Sequence, residues 1–221
     1  MATEAVPNRA AETVAGQLQY WLAVIFVAGW TGVICGGLGV QFGSWDYPCP
    51  LCMVQRMFMA LAALGAAVIV RKGMTGAVAA RDYAMGWGLS VVGCVAGGFT
   101  AWRQTMLHIL PGDPGYGAPV LGLHLYVWAL ILFVAAIATV GAVLSFSHST
   151  AARTIPATPQ RALASRECAR PHRLIGLIAL WFLGIVLAIN LVSVFLLEGF
   201  HWFLPDDPSR YQLFYDLRIL G

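Results

Sequence analysis

Pro48-Cys49-Pro50-Leu51-Cys52-Met53-Val54-Gln55-Arg56 joins two long apolar stretches, and its reading decides the fold. Proline disfavours helix for the residue before it and suits a helix's first turn. The spacing therefore predicts a helix starting at Pro50, with Cys49 near its N-cap and Cys52 in its first turn. Upstream, an apolar run from about Tyr20 to Phe42 is the length of a membrane span; downstream, a second run extends from Leu51 to about Val70. A Cys-x-x-Cys pair thus stands where one membrane helix ends and the next begins.

Working outward, further spans are expected at about Tyr83–Trp102, Val120–Phe146 and Leu174–Leu197, the last interrupted only by Asn190 and Ser193. The 221 residues are 59% hydrophobic and only 10% charged, far below the roughly 25% charge of soluble chains. The fold class is therefore all-α, a polytopic membrane protein. Residues 1–17 carry Glu4, Arg9 and Glu12, and the first apolar run is too long for a cleavable leader, so it reads as a retained span. No internal repeat is visible. The net charge of +3 is spread over short loops and does not point to nucleic acid.

Five spans put the termini on opposite sides. With the N-terminus inside, the cytoplasmic segments hold nine arginines and lysines (Arg9, Arg71, Lys72, Arg81, Arg153, Arg161, Arg166, Arg170 and Arg173). The outer segments hold three, Arg103, Arg210 and Arg218. That bias predicts a cytoplasmic N-terminus and places the cysteine pair outside, where disulfides persist. Trp45, Tyr47, Trp102, Tyr116 and Trp202 fit an outer aromatic belt. The division expected is a cytoplasmic segment 1–19, a membrane domain 20–146, a cytoplasmic linker 147–173, and a fifth span with an outer tail, 174–221. The outer loop 111–119 is turn-rich, and the aromatic tail from Glu198 is expected along the outer surface. Gly32/Gly36 and Gly93/Gly97 have the small-xxx-small spacing of closely packed membrane helices.

The pair suits redox chemistry. Thiolates attack and leave in thiol–disulfide exchange, and a helix N-terminus favours them. Arg56 lies four residues beyond Cys52 on the same face, about 6 Å deeper. An arginine there would stabilise the thiolate and hydrogen-bond a quinone oxygen; its alternative is to snorkel to the headgroups. Cys35 and Cys94 read as small apolar residues, Cys168 as a free thiol, and Met53 and Met57 as packing groups. His108 and His124 are near the outer face, as local hydrogen-bonding groups or as a proton relay. Cys49, Cys52, Met53, Met57 and His108 also compose a soft Cu(I) ligand set, so a copper-handling protein is one alternative. A structural assembly subunit with a stabilising disulfide is another, although so short a loop gains little from closure.

The stretch Pro48–Arg56 resembles the signature of the DsbB family, bacterial membrane proteins that reoxidise a periplasmic thiol oxidase and pass the electrons to quinone. Arg103-Gln-Thr-Met-Leu107 and Leu121-Gly-Leu-His-Leu-Tyr-Val-Trp128 extend the likeness, which covers about residues 20–146. The resemblance implies a four-helix bundle, here with a fifth transmembrane helix added, in the bacterial inner membrane. It implies that Cys49 exchanges with a partner, that Cys52 faces quinone (ubiquinone or menaquinone), and that Arg56 is the quinone-site arginine. Gln104 falls where the family often has a polar residue near quinone. The partner implied is a periplasmic thioredoxin-fold thiol oxidase, DsbA-like, or another cysteine-bearing periplasmic protein. Two features depart from the family pattern. Residues 103–121 and the tail contain no cysteine, so the usual second pair is missing. The fifth span and its tail are extra, and would cover the site or dock a partner.

Overall fold

The computed structural model describes residues 9–75, 78–147, 166–201, 205 and 207–219. Most of the expected cytoplasmic linker, Trp202 and the side chain of Cys168 lie outside the described residues. The described chain is all-helical: α1 (Arg9–Gly43), α2 (Pro50–Thr75), α3 (Ala80–Leu107), α4 (Leu125–Ser147), α5 (Arg166–Glu198) and a short α6 (Gln212–Asp216). Five of these helices contain stretches long and apolar enough to cross a membrane: Gln17–Gly43, Pro50–Thr75, Arg81–Leu107, Leu125–Ser145 and Pro171–Glu198. The protein is a multi-pass membrane protein.

Helix α2 is the centre of the bundle. It packs most extensively on α3 and also on α1; α4 packs against α3, while α5 leans on both α1 and α2. Missing Cβ atoms set the closest approaches, because van der Waals packing rather than hydrophobic expulsion holds helices together in lipid. A Cβ on Gly65 would stand 2.5 Å from the Gly86 carbonyl oxygen, and one on Gly93 2.8 Å from the Ala62 nitrogen, so α2 and α3 nearly touch backbones. Gly97 instead makes room for the Phe133 ring of α4. Of the two glycine pairs expected at interfaces, Gly32/Gly36 is therefore corrected: nothing lies within 4 Å of either position. Rings of Phe26, Trp30, Trp87 and Phe133 tie α1, α3 and α4 together at centroid distances of 5.0–6.1 Å.

Helix α4 begins at Leu125 rather than Val120. Val120 and Leu123 exchange backbone hydrogen bonds of 2.8 and 3.2 Å around Leu121-Gly122. Both central residues have positive φ, 54° and 82°, the pattern of a type I′ turn. At the other end of the chain α5 starts at Arg166, inside the stretch expected to be linker. It is anchored at both ends. The Tyr20 hydroxyl donates to the His172 carbonyl at 2.9 Å, and Gln41 reaches Ser193 at the opposite end. The second contact leads into the cysteine site.

Candidate active site

Cys49 precedes Pro50, the first residue of α2, and acts as its N-cap. Its carbonyl accepts from the Met53 N–H at 3.0 Å, the first bond of the helix. Its sulfur accepts from the Cys52 N–H at 3.2 Å, as the oxygen of a serine or aspartate cap does. The capping bond fixes the rotamer of Cys49 and turns its sulfur toward Cys52. The two sulfurs are in contact, 2.6 Å apart. The contact with Cys52, and then burial, pushes the Cys49 thiol up from its ordinary value.

Gln104, near the end of α3 and 1% exposed, faces both sulfurs. Its Nε2 donates to Cys49 Sγ at 3.2 Å and to Cys52 Sγ at 3.4 Å. Its Oε1 accepts from Gln55 Nε2 at 2.8 Å and lies 3.7 Å from Cys52 Sγ. A carboxamide donor shared between two sulfurs favours negative charge on whichever is ionised.

Arg56 is 8% exposed and does not snorkel. Its Nη1 donates to Gln41 Oε1 at 2.7 Å and its Nη2 to the Gly37 carbonyl at 2.8 Å, both on α1. Gly37 allows this approach; a Cβ there would lie 3.0 Å from Arg56 Nε. Both partners are neutral, and among the described residues no carboxylate pairs with this arginine. A buried cation with neutral partners leaves a net positive potential around it.

Two spaces meet the pair, sharing Asp46, Tyr47, Tyr116 and Gly117 as their common wall. A cavity of about 120 Å³ lies between α1, α2 and α4; Cys52, Arg56, Val33, Met59, Tyr126 and Trp128 are among its lining residues. Cys49 does not line it. Cys49 and Gln104 instead line a wider outer basin of about 1010 Å³, walled by Trp45, Arg103, His108 and Pro208. Gln104 is thus placed at the sulfurs and the basin, while Arg56 is placed in the cavity. Between the two spaces runs Tyr47, whose carbonyl accepts from the Tyr116 hydroxyl at 2.6 Å and whose ring packs edge-on against Tyr211 at 5.1 Å. The tail thus folds back over the site.

His108 meets Asp113 at 3.1 Å, and His124 meets the Gly117 carbonyl at 3.0 Å. Both rings lie against Tyr126, with centroids 5.5 and 5.4 Å away. Cys94 is buried in the core, and Cys35 is partly buried against that core. Among the described residues no three His, Cys, Asp or Glu side chains converge as a metal-binding group. Gln41 and Gln55 are residues to which the sequence reading gave no role, and Tyr116 was read there only as part of the outer aromatic belt. The available signal for the two glutamines was a polar side chain inside an apolar span.

No curated protein and no solved structure matches the chain. The family model described as Disulfide bond formation protein DsbB matches residues 19–116. This stretch, less than half of the 221 residues, carries Cys49, Cys52, Arg56 and Gln104, and over it the chain is similar to the DsbB family.

Proposed function

We propose that the protein is a thiol:quinone oxidoreductase of the bacterial inner membrane, which forms disulfides in a periplasmic partner through Cys49 and Cys52. The observation that carries this reading is the division of the two sulfurs: Cys49 opens on the outer basin, Cys52 on the cavity that holds Arg56. One side suits a protein thiol, the other a small lipid-soluble acceptor. The charge bias of nine against three supports a cytoplasmic N-terminus and a periplasmic site and C-terminus.

The cavity's residues fit a quinone headgroup. At about 120 Å³ it is smaller than the roughly 150 Å³ that accommodates a benzene ring, so its volume admits the oxygen-bearing edge of a quinone ring rather than a whole substituted headgroup. Its lining is mostly apolar, and Arg56 supplies charged donors at one edge, the combination expected of a small-molecule site. Quinone supplies an acceptor for two electrons and two protons and leaves as quinol.

The chain's own residues do the rest. A partner thiolate attacks Cys49 in the Cys49–Cys52 disulfide, and Cys52 leaves as a thiolate. The helix N-terminus, Gln104 and the Arg56 charge all favour that anion. The partner's second thiol then displaces Cys49, so the partner is oxidised and the pair is reduced. When the pair closes again, its two electrons and two protons pass to the acceptor. Residues 103–121 hold no second cysteine pair, so the partner reaches Cys49 itself through the basin. That partner is a thioredoxin-fold thiol oxidase of the DsbA type or another cysteine-bearing periplasmic protein.

Purified protein given a short-chain quinone and a reduced thioredoxin-fold partner forms quinol on this reading. Cys49→Ser and Cys52→Ser each abolish turnover. Full activity in either variant overturns the mechanism.

A further inference from the structure

Among the described residues, the fifth helix touches the site through one polar contact. Ser193, 1% exposed on α5, accepts a 2.7 Å hydrogen bond from Gln41 Nε2. Gln41, 0% exposed on α1, gives its Oε1 to Arg56 Nη1 at 2.7 Å. Arginine only donates, so Gln41 must turn its oxygen to Arg56 and its amide nitrogen to α5. The serine hydroxyl on α5 is what meets that nitrogen; Tyr211, at 3.5 Å, is a marginal second acceptor. Without Ser193 a buried N–H₂ is left nearly unsatisfied, and the amide is free to swing away from the guanidinium.

We propose that Ser193 and Gln41 are positioning residues for the acceptor site, and that α5 is a working part of that site. They hold the Arg56 guanidinium against the cavity wall by a neutral chain, Ser193–Gln41–Arg56. The neutrality matters. A carboxylate at position 41 would hold the arginine equally well and cancel its charge, leaving the cavity without a cation for the acceptor's oxygen.

The inference rests on the quinone reading above, and its test separates the two. Wild type, Ser193→Ala, Ser193→Thr and Gln41→Glu are assayed in lipid vesicles with a short-chain quinone and a reduced dithiol partner. Ser193→Ala is expected to raise the quinone KM several-fold, leaving the partner KM and the kcat at saturating quinone as in wild type. Ser193→Thr keeps the hydroxyl and restores the quinone KM. Gln41→Glu keeps the shape and thermal stability but raises the quinone KM at least tenfold. A quinone KM unchanged in Ser193→Ala, or both KM values and kcat moving together as in a loosened bundle, overturns the positioning role while leaving the oxidoreductase reading intact. A wild type that passes no electrons to quinone overturns that reading, and this inference with it.

Discussion

Replacing Arg56 with methionine tests the cavity most directly. Methionine fills a similar volume but removes the charge and both donors, to Gln41 at 2.7 Å and to the Gly37 carbonyl at 2.8 Å. For the fold the effects oppose each other. Leaving Gln41 Oε1 without its donor costs about 1–3 kcal/mol, while the bundle no longer holds a desolvated cation. Thermal stability is therefore expected to change little. For the acceptor the effects add. A hydrogen bond from a charged donor is worth about 1.5–3 kcal/mol, so the quinone KM should rise about 10- to 150-fold. The measurement is quinol formation in vesicles at saturating reduced partner, with quinone varied. Arg56→Lys should fall between, because lysine keeps the charge but cannot span Gln41 and Gly37 with one rigid fork. A quinone KM within twofold of wild type for Arg56→Met, in a protein of normal stability, would refute the assignment of the cavity.

Three further outcomes follow from other contacts. Gln104→Leu removes the donor shared by Cys49 and Cys52 and strands Gln55 Nε2, so kcat should fall about 2- to 13-fold with the fold intact, for one hydrogen bond worth about 0.5–1.5 kcal/mol; an unchanged kcat removes Gln104 from the site. Gly93→Ala drives a methyl toward the Ala62 nitrogen 2.8 Å away and should cost about 1–3 kcal/mol, seen as a lowered melting temperature, while Gly32→Ala and Gly36→Ala, which meet nothing, should be tolerated. Asp113 is held below its ordinary 3.8 first by the Gly115 N–H and then by His108, so its contribution to the outer loop is present above that value and lost as pH falls through the lower folded value. Amide exchange at Gly115 should therefore be faster in Asp113→Asn than in wild type at neutral pH, and the two should converge well below pH 3.8.

The sequence by itself determined the membrane class, the five spans and the start of α2. Each is a local property: apolar run length sets a span, and a proline on either side of Cys49 sets a helix start. The same locality put Arg56 on the face of Cys52. It could not say that Gly32 and Gly36 meet nothing while Gly65 and Gly86 nearly touch, because spacing marks a small-residue stripe and not what lies opposite it. It set α4 five residues early, because Val120 to His124 are apolar enough to extend a span yet fold as a tight turn. The tertiary structure alone decided how the site is divided. Gln104 reaches Cys49 across 55 residues of sequence, and Gln41 reaches Ser193 across 152. Such contacts arise when α3 and α5 pack against α2 and α1, and no window of sequence contains both partners. That packing turns Cys49 toward the basin and Cys52 toward the cavity, and it holds Arg56 as a buried cation rather than a headgroup anchor.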